Sequence, residues 1–526
     1  MRSQWTWVLG ASPVVCQQGG TWQRPWRLGV TLLGMLTKSL LLDQMRCPKS
    51  LWLAIHGDQH RAPSNAFVRR LKAEGQAVGA LARERYPEGV LIEVEPWDAE
   101  EAVRLTEEAM ADGATAIFEA TFQAKDVLVR VDLLVREGDG WSIVEVKAAT
   151  KLRKGEHVPD VAVQWWTLAK AGVRLRSAAL MHVRSDAEEV TADGLFVVHD
   201  ITPKVLAAQA TVAEGVEHAR QVEMRPAAPY MPLGPHCEKP RTCDFLEHCQ
   251  AATPLPSPSV FDLPRIGSKK WDYLQAGLAG LAEVPTGDLN DMQLHIRDVI
   301  LSGERYVDGE ALALETKDWG FPMLHLDFET CSWAIPPFDG LAPYAQVPFQ
   351  YSLHVELDGT SAPLHFESLH TGDGDPRPAL AEALAAHMEP YLGPSASVTA
   401  YSMAVERSGL KCLAEASPAS ADRLLDAASR LVDPLPILRQ HVYDQGFRGS
   451  FSIKSIAPVL LGEAFDYDRL EIHHGAEAMA RYDQLRTQEL SEGEREMIRT
   501  QLLEYCRQDT LAMLELVRWI RWEADA

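Results

Sequence analysis

The chain has 526 residues, 46% of them hydrophobic, and a formal net charge of −23 at pH 7. Two or three domains are expected at this length, and no apolar run is long enough to cross a bilayer as a helix. The acidic balance excludes a protein that grips a polyanion by bulk charge, because phosphate neutralisation supplies most non-specific affinity. Nucleic acid would need a local basic groove or metal ions, and acidic clusters that hold divalent cations themselves add to the negative balance. Eight cysteines without regular pairing point to a reducing cytosol rather than a disulfide framework, so a cytoplasmic protein is expected.

Residues 1–34 hold four tryptophans, several glycines and arginines, and no acidic residue. Gly10, Pro13 and Gln17 interrupt the apolar run there, which is not the pattern of a signal-peptide core. The expectation is a disordered leader, or a natural start at Met35. From Leu36-Thr-Lys-Ser39 a helix is predicted to run towards Cys47 and Trp52. Glu74 to Arg83 has small and apolar residues at helical spacing and is predicted to be a core helix beside a sheet. Ala99 to Met110 reads as another helix, with Glu107 and Glu108 solvated.

Two β-branched runs follow, Val129-Arg-Val-Asp-Leu-Leu-Val-Arg136 and Trp141-Ser-Ile-Val-Glu-Val-Lys147, around the turn Glu137-Gly-Asp-Gly140. They predict a hairpin inside a sheet. Asp132 is the lone carboxylate of the first strand, and Glu145 and Lys147 share one face of the second because strand side chains alternate. Burying two carboxylates and an ammonium together is unfavourable unless compensated, and a divalent cation is the usual compensation. An exposed charge pair is the alternative. Glu119, in Ile117-Phe-Glu-Ala-Thr-Phe122, is a further metal ligand or a sheet-edge charge, and Gln164 lies on an apolar helical stretch from Asp160 to Lys170.

The order Asp, then Glu-x-Lys on the next strand, resembles the PD-(D/E)XK nuclease superfamily, and Gln164 on the following helix resembles its RecB-type members. That resemblance implies Mg²⁺ or Mn²⁺ held by Asp132 and Glu145 and hydrogen bonding from Gln164 beside the metal. It also implies that Lys147 stabilises the attacking hydroxide or the phosphorane charge. Val173 to Val198 offers two more strands, and Pro203 to Met224 a long amphipathic helix. The helix leads to Cys237, Cys243 and Cys249, each separated from the next by five residues, with Cys47 far upstream. One cysteine before the nuclease core and three after it resembles the iron-sulfur cap of RecB-type nucleases. The implied cofactor is a [4Fe-4S] cluster on four thiolates that clasp the ends of the domain. A structural zinc site is the competing assignment, although such sites usually use closer Cys-x-x-Cys pairs.

Thr253-Pro-Leu-Pro-Ser-Pro-Ser-Val260 reads as a proline-rich linker, followed by a helical connector from Lys269 to Gly303 with Leu274, Leu278 and Leu281 at packing positions. In Met323-Leu-His-Leu-Asp-Phe-Glu-Thr330, Asp327 and Glu329 again share a strand face. A strand-like run from Ala396 to Ala400 leads to Glu406 at a helix start, and near the C-terminus Tyr505 and Asp509 fall one helical turn apart. Arg448-Gly-Ser-Phe-Ser-Ile-Lys454 opens another helix, where Ser450, Ser452 and Lys454 are suited to a phosphate, or Ser452 to capping.

This second constellation resembles the DEDDy branch of DnaQ-like 3′ to 5′ exonucleases on the RNase H-like fold. It implies two metal ions on Asp327, Glu329, Glu406 and Asp509, with Tyr505 orienting the attacking water. The second motif departs from the pattern, since Ser402, Val405 and Glu406 stand where an asparagine, an aromatic residue and an aspartate are usual. Across residues 35–520 the arrangement resembles bacterial proteins that carry a C-terminal domain of unknown function, family 2779, behind a RecB-like nuclease domain. The expected architecture is α/β: residues 1–34 a leader, 35–252 a PD-(D/E)XK restriction-endonuclease-like domain, 253–318 a linker and connector, and 319–526 an RNase H-like domain. The expected function is metal-dependent hydrolysis of DNA at ends or single strands, in repair, recombination or defence, with RNA processing or a catalytically silent binding role as alternatives. No membrane partner is expected.

Overall fold

In the computed structural model, which describes residues 35–95 and 97–526, the chain lays down two mixed sheets, each covered by helices. The expected leader lies outside the described residues. Among them, no helix is long and apolar enough to cross a membrane.

The first sheet has seven strands: β1 (Leu36–Thr37), β2 (Val90–Leu91), β3 (Ala116–Ala124), β4 (Val127–Glu137), β5 (Gly140–Lys147), β6 (Leu175–Val183) and β7 (Phe196–Asp200). Their order is β2-β3-β4-β5-β6-β7. The expected hairpin is β4 and β5, antiparallel and closed by a turn in which Gly138 takes φ 61°, a conformation that costs glycine nothing. β5 pairs with β4 from Leu133 to Glu137, whereas β1 pairs in parallel with Val127 and Leu128. That pairing brings the start of the next helix to the end of β5.

The helices of this part are α1 (Lys38–Arg46), α2 (Pro48–His56), α3 (Ala66–Arg83), α4 (Ala99–Ala111), α5 (Lys154–Lys170), α6 (Thr202–Ala207), α7 (Gln209–Glu223) and the short α8 (Leu246–Ala251). Leu41, Leu51, Ala102, Val161, Leu168 and Val216 pack with Leu134, Ile143 and Leu180 on one face of the sheet. α3 covers the other face, but only Val78 and Ala82 of it are buried, so the predicted core helix is largely a surface helix. The single helix expected from Pro203 to Met224 is two, broken at Ala208, where Gln209 donates its side-chain amide to the carbonyls of Val205 and Ala162.

Beyond the proline-rich stretch, helix is confined to α9 (Lys269–Gln275) and α10 (Asp291–Ser302), because Pro285 and two 3₁₀ turns interrupt the predicted run. Val260, Leu281, Val284 and Ile296 of this connector share a core with Ile456, Met513 and Val517. β8 (Tyr306–Val307) and α11 (Gly309–Thr316) lead into the second sheet, of β9 (Met323–Cys331), β10 (Val347–Glu356), β11 (Leu364–Leu369), β12 (Ser397–Thr399) and β13 (Leu431–Val432), in the order β11-β10-β9-β12-β13. Between and after these strands run α12 (Arg377–Met388), α13 (Ala404–Ala416), α14 (Ala421–Ser429), α15 (Pro434–His441), α16 (Ile453–Leu461), α17 (Gly475–Thr487) and α18 (Glu492–Asp525); β14 (Val442–Tyr443) pairs with β8. Alternation along β9 sends Leu324, Leu326 and Phe328 into the core made with α12, α13 and α14. The intervening His325, Asp327 and Glu329 take the opposite face, where Cys506 of α18 meets Asp327. A capping box between Ser491 and Glu494 starts α18, which runs for 34 residues.

The two parts meet where α3 touches the end of β9. Arg70 pairs with Asp483 of α17 and donates to the carbonyl of Ser332, and the Glu74 carboxylate accepts from Ala334 N at 2.7 Å. The Arg70 side chain is only 9% exposed. Arg70→Ala takes one cation from Asp483, which keeps Trp333 Nε1 at 3.0 Å and Arg486 at 3.8 Å, and removes the donor to Ser332 O; it is expected to cost about 1–3 kcal/mol, seen as a lower melting temperature in calorimetry. An unchanged melting profile would contradict a structural role for this contact.

Candidate functional site

The first cluster forms at the end of the β4–β5 hairpin. Asp132, half-buried on β4, accepts from Val146 N at 2.8 Å. Glu145, buried on β5, has both oxygens engaged: Oε1 by the ammonium groups of Lys147 (2.6 Å) and Lys38 (3.3 Å), and Oε2 by Gln164 Nε2 (2.6 Å). Asp160, one turn before Gln164 on α5, accepts from Lys38 at 2.7 Å and from Lys147 at 2.6 Å. So the structure brings Asp132, Glu145, Lys147 and Gln164 together and adds two residues that the sequence patterns did not single out, Lys38 and Asp160. Lys38 arrives through the pairing of β1 with β4. The signal for Asp160 was its place four residues before Gln164, on the same helix face.

Electrostatics separate the carboxyls of this cluster. Burial and the neighbouring Glu145 push Asp132 up to about 8. Burial acts in the same direction on Asp160, but Lys38 and Lys147 overcome it and hold that carboxyl below the usual range. For both lysines, burial opposes the charged form and the carboxylates around them outweigh it, so each ammonium is held more firmly than in water. The side-chain Oε1 of Gln164 is buried without a hydrogen-bond partner. Glu119 lies in β3 just past the two residues that pair with β2, where the register with β4 skips it at φ 57°, and burial raises its pKa; it makes no ion pair among the described residues.

The second cluster lies where the C-terminal part of β9 meets α13, α16 and α18. Asp327 is half-buried, and Glu329, Glu406 and Asp509 are buried. None of the four makes an ion pair among the described residues. Gly409 lets α13 lie close on β9, since a Cβ there would stand 2.9 Å from the Phe328 ring, and Glu406 is one turn earlier on the same helix. Glu406 Oε2 is buried with no partner. The departure at Ser402 has a structural consequence: its backbone turns left-handed at φ 64°, and Asp433 accepts from the amides of Ser402, Met403 and Leu435 to hold that turn.

Burial raises every acid in this corner, and neighbouring carboxylates add to it for Asp327, Glu329 and Glu406. Asp327 is raised well above its ordinary value by burial, Asp509, Glu329 and Glu406. Burial and Asp509 push Glu329 up to about 8 against the pull of Lys454. Burial, then Asp433 and Asp509, push Glu406 up to about 8. Asp509 rises only to about 6, because Lys454 and a 2.5 Å hydrogen bond from Tyr467 work against its burial.

Tyr505 accepts from Lys454, and burial and the surrounding carboxylates keep its phenol neutral. Lys454 also donates to His473 O at 2.9 Å, and Ser452 makes no capping hydrogen bond, so the capping alternative for that segment is not realised. Ligand atoms of Asp327, Glu329 and Cys506 lie within 4.8 Å of one another, and the Cys506 thiol stands 3.5 Å from Asp327 Oδ2. Cys506, Lys454 and Tyr467 were not singled out as members of this corner; Cys506 directly follows Tyr505, and nothing local marks Tyr467.

Cys47, Cys237, Cys243 and Cys249 line one small cavity with Leu233, His236 and Phe245. All four are free thiols. They form no group of three whose sulfurs all lie within 4.8 Å.

A family model described as a domain of unknown function (DUF2779) matches residues 324–452. The match takes in Asp327, Glu329 and Glu406 and ends before Tyr505 and Asp509. No curated protein matches the chain. A solved structure titled "Crystal structure of SSO0001" is similar at 15% identity, over 42% of this chain and 87% of that one, with a TM-score of 0.20. A likeness that slight bears on neither fold nor activity.

The raised carboxyls set a pH dependence. Each has a folded pKa above its unfolded value of about 4, so its protonated form favours the fold. Without cations, that contribution is complete below pH about 4 and is lost as pH rises through the folded value, about 6 for Asp509 and about 8 for Glu329 and Glu406, at up to about 1.4 kcal/mol per unit for each group. Glu406→Gln is expected to raise the melting temperature of cation-free protein at pH 8, to change it little at pH 4, and to shrink the gain on adding Mn²⁺. A variant no more stable than the wild type at pH 8 would contradict the assignment.

Proposed function

We propose that the chain is a metal-dependent nuclease with two centres, a RecB-like PD-(D/E)XK unit with a [4Fe-4S] cluster followed by an RNase H-like exonuclease unit of DEDDy type. DNA, at ends or as single strands, is the proposed substrate. The observation that carries this reading is the meeting of Asp327, Glu329, Glu406 and Asp509 in one buried corner without a protein cation paired to any of them. Like charges in a poorly solvated site are stable only when compensated. The unpartnered Glu406 oxygen and the short spacing of Asp327 and Glu329 fit divalent cations.

Bound Mg²⁺ or Mn²⁺ would lower the pKa of an adjacent water and offset charge on the phosphate oxygens. The chain's own groups do the rest. Tyr505 is kept as a neutral phenol that accepts from Lys454 and so has its proton free to orient a water. Tyr467 fixes the rotamer of Asp509. At the first centre Gln164 fixes Glu145, and Lys147 and Lys38 bring two ammonium groups to where charge grows on a phosphoryl oxygen. Asp132 and Glu145 would hold a cation there, with Glu145 shared with the lysines.

For the cysteines, a single tetrahedral zinc with bonds of about 2.3 Å needs its sulfurs about 3.8 Å apart. Structural zinc sites usually use closer Cys-x-x-Cys pairs than the five-residue separations of Cys237, Cys243 and Cys249, which supports a cluster over zinc.

Purified protein with Mn²⁺ is expected to degrade labelled DNA, and Lys147→Ala and Asp327→Asn each to remove a distinct part of that activity, by roughly 10²-fold or more. Cleavage of RNA alone would move the substrate, and no hydrolysis of any nucleic acid would leave a binding protein. Anaerobic purification is expected to give brown protein containing iron and sulfide, with colour lost in Cys243→Ser. A colourless protein loaded with zinc would overturn the cluster.

A further inference from the structure

A cavity of about 380 Å³ opens beside the second carboxylate cluster and takes no part in the chemistry described so far. That volume falls in the range of small-molecule sites, roughly 300–1,000 Å³. Its walls combine the connector, through Pro264, Arg265 and Met292, with Tyr401, Ser402 and Arg439 and with the segment from Phe451 to Ile453. Two of these walls continue into the carboxylate corner: α13, with Glu406, starts just beyond Ser402, and Lys454 follows Ile453.

The lining is chemically uneven. Arg265, exposed, and Arg439, half-buried, make no ion pair or side-chain hydrogen bond among the described residues. Unpaired guanidinium groups are notable in a chain whose formal net charge is −23. Asp433, beside the lining residue Leu435, accepts from three backbone amides and pairs with neither arginine among the described residues. Tyr401 and Phe451 supply aromatic surface and are fixed to one another, because the Tyr401 hydroxyl donates to Phe451 O at 2.6 Å. The Arg439 guanidinium lies 5.7 Å from the centre of the Phe451 ring, so a cation and a ring already stand side by side. Arg265 takes φ 54°, a backbone conformation that a non-glycine residue adopts at a cost and that here presents the side chain at the mouth of the cavity.

Two free guanidinium groups beside rigid aromatic surface match a ligand with a phosphate and a flat ring. We propose that this cavity is a nucleotide subsite, which seats a nucleoside phosphate next to the one held at the carboxylate corner. The choice of ligand rests on the nuclease reading above; the cavity and its charges do not. It also gives the connector a role, since Arg265 belongs to it.

The test is calorimetric titration of full-length protein in buffer freed of divalent cations, where hydrolysis is off and the carboxylates have no cation with which to attract phosphate. The probes are thymidine 5′-monophosphate, inorganic phosphate and a short oligothymidylate. Thymidine monophosphate is expected to bind, and Arg439→Ala to weaken it about tenfold. Arg265→Glu, a change at an exposed position that does not threaten folding, is expected to weaken it at least as much, whereas Asp327→Asn leaves binding in place. An oligothymidylate that binds more tightly than the mononucleotide assigns the cavity to the strand, and equal binding assigns it to a free mononucleotide; both support a nucleotide subsite.

The proposal is overturned if thymidine monophosphate does not bind, if neither arginine change weakens it, or if inorganic phosphate binds equally well. Because the titration reads binding and not turnover, a failure of the nuclease assay leaves its result standing, and a failure here leaves the nuclease reading standing.

Discussion

Carboxyl groups crowded into one poorly solvated corner cannot all ionise unless something positive sits among them, and this molecule meets that constraint twice with different answers. In the first cluster the answer is built into the chain, with Lys38 and Lys147 placed between Glu145 and Asp160. Asp132 makes no ion pair there and is raised, because burial and Glu145 outweigh the pull of both lysines. In the second cluster the described residues supply Lys454, which is turned to Tyr505 and the carbonyl of His473. Burial raises all four acids, and Lys454 pulls back only Glu329 and Asp509. On the proposed reading, that contrast gives the second corner the greater need of external cations.

The fold delivers these groups by simple geometry. Strand alternation puts Glu145 beside Lys147 and Asp327 beside Glu329, and each pair lies near the end of a strand that neighbouring strands hold on both sides. Helices then bring partners from far along the chain: α5 carries Asp160 and Gln164, α13 carries Glu406, and α18 carries Tyr505 and Asp509. The contact of α3 with the end of β9, through Arg70 and Glu74, ties the two halves together next to the strand that bears Asp327.

Much of this was legible in the sequence where the signal was local. The period-two spacing on β5 and β9, the hairpin turn at Gly138 and the one-turn spacing of Tyr505 and Asp509 depend on neighbours in the chain. Lys38 was not legible, because its position depends on Leu36 and Thr37 pairing with Val127 and Leu128, some 90 residues away. Asp160 was readable as a helical neighbour of Gln164, four residues away on the same face. The connector misled for a further reason: leucines at helical spacing predict one helix, but Pro285 breaks it and the residues bury into the second core as separate turns.

The account turns on whether cations occupy these corners. The most direct measurement is anomalous X-ray scattering at the manganese edge from crystals of the full-length protein grown with Mn²⁺. Peaks within bonding distance of Asp327, Glu329 and Asp509, and a further peak beside Asp132, are the expected result. A map with no peak at either position, under saturating Mn²⁺ and with the carboxylates ordered, would contradict it.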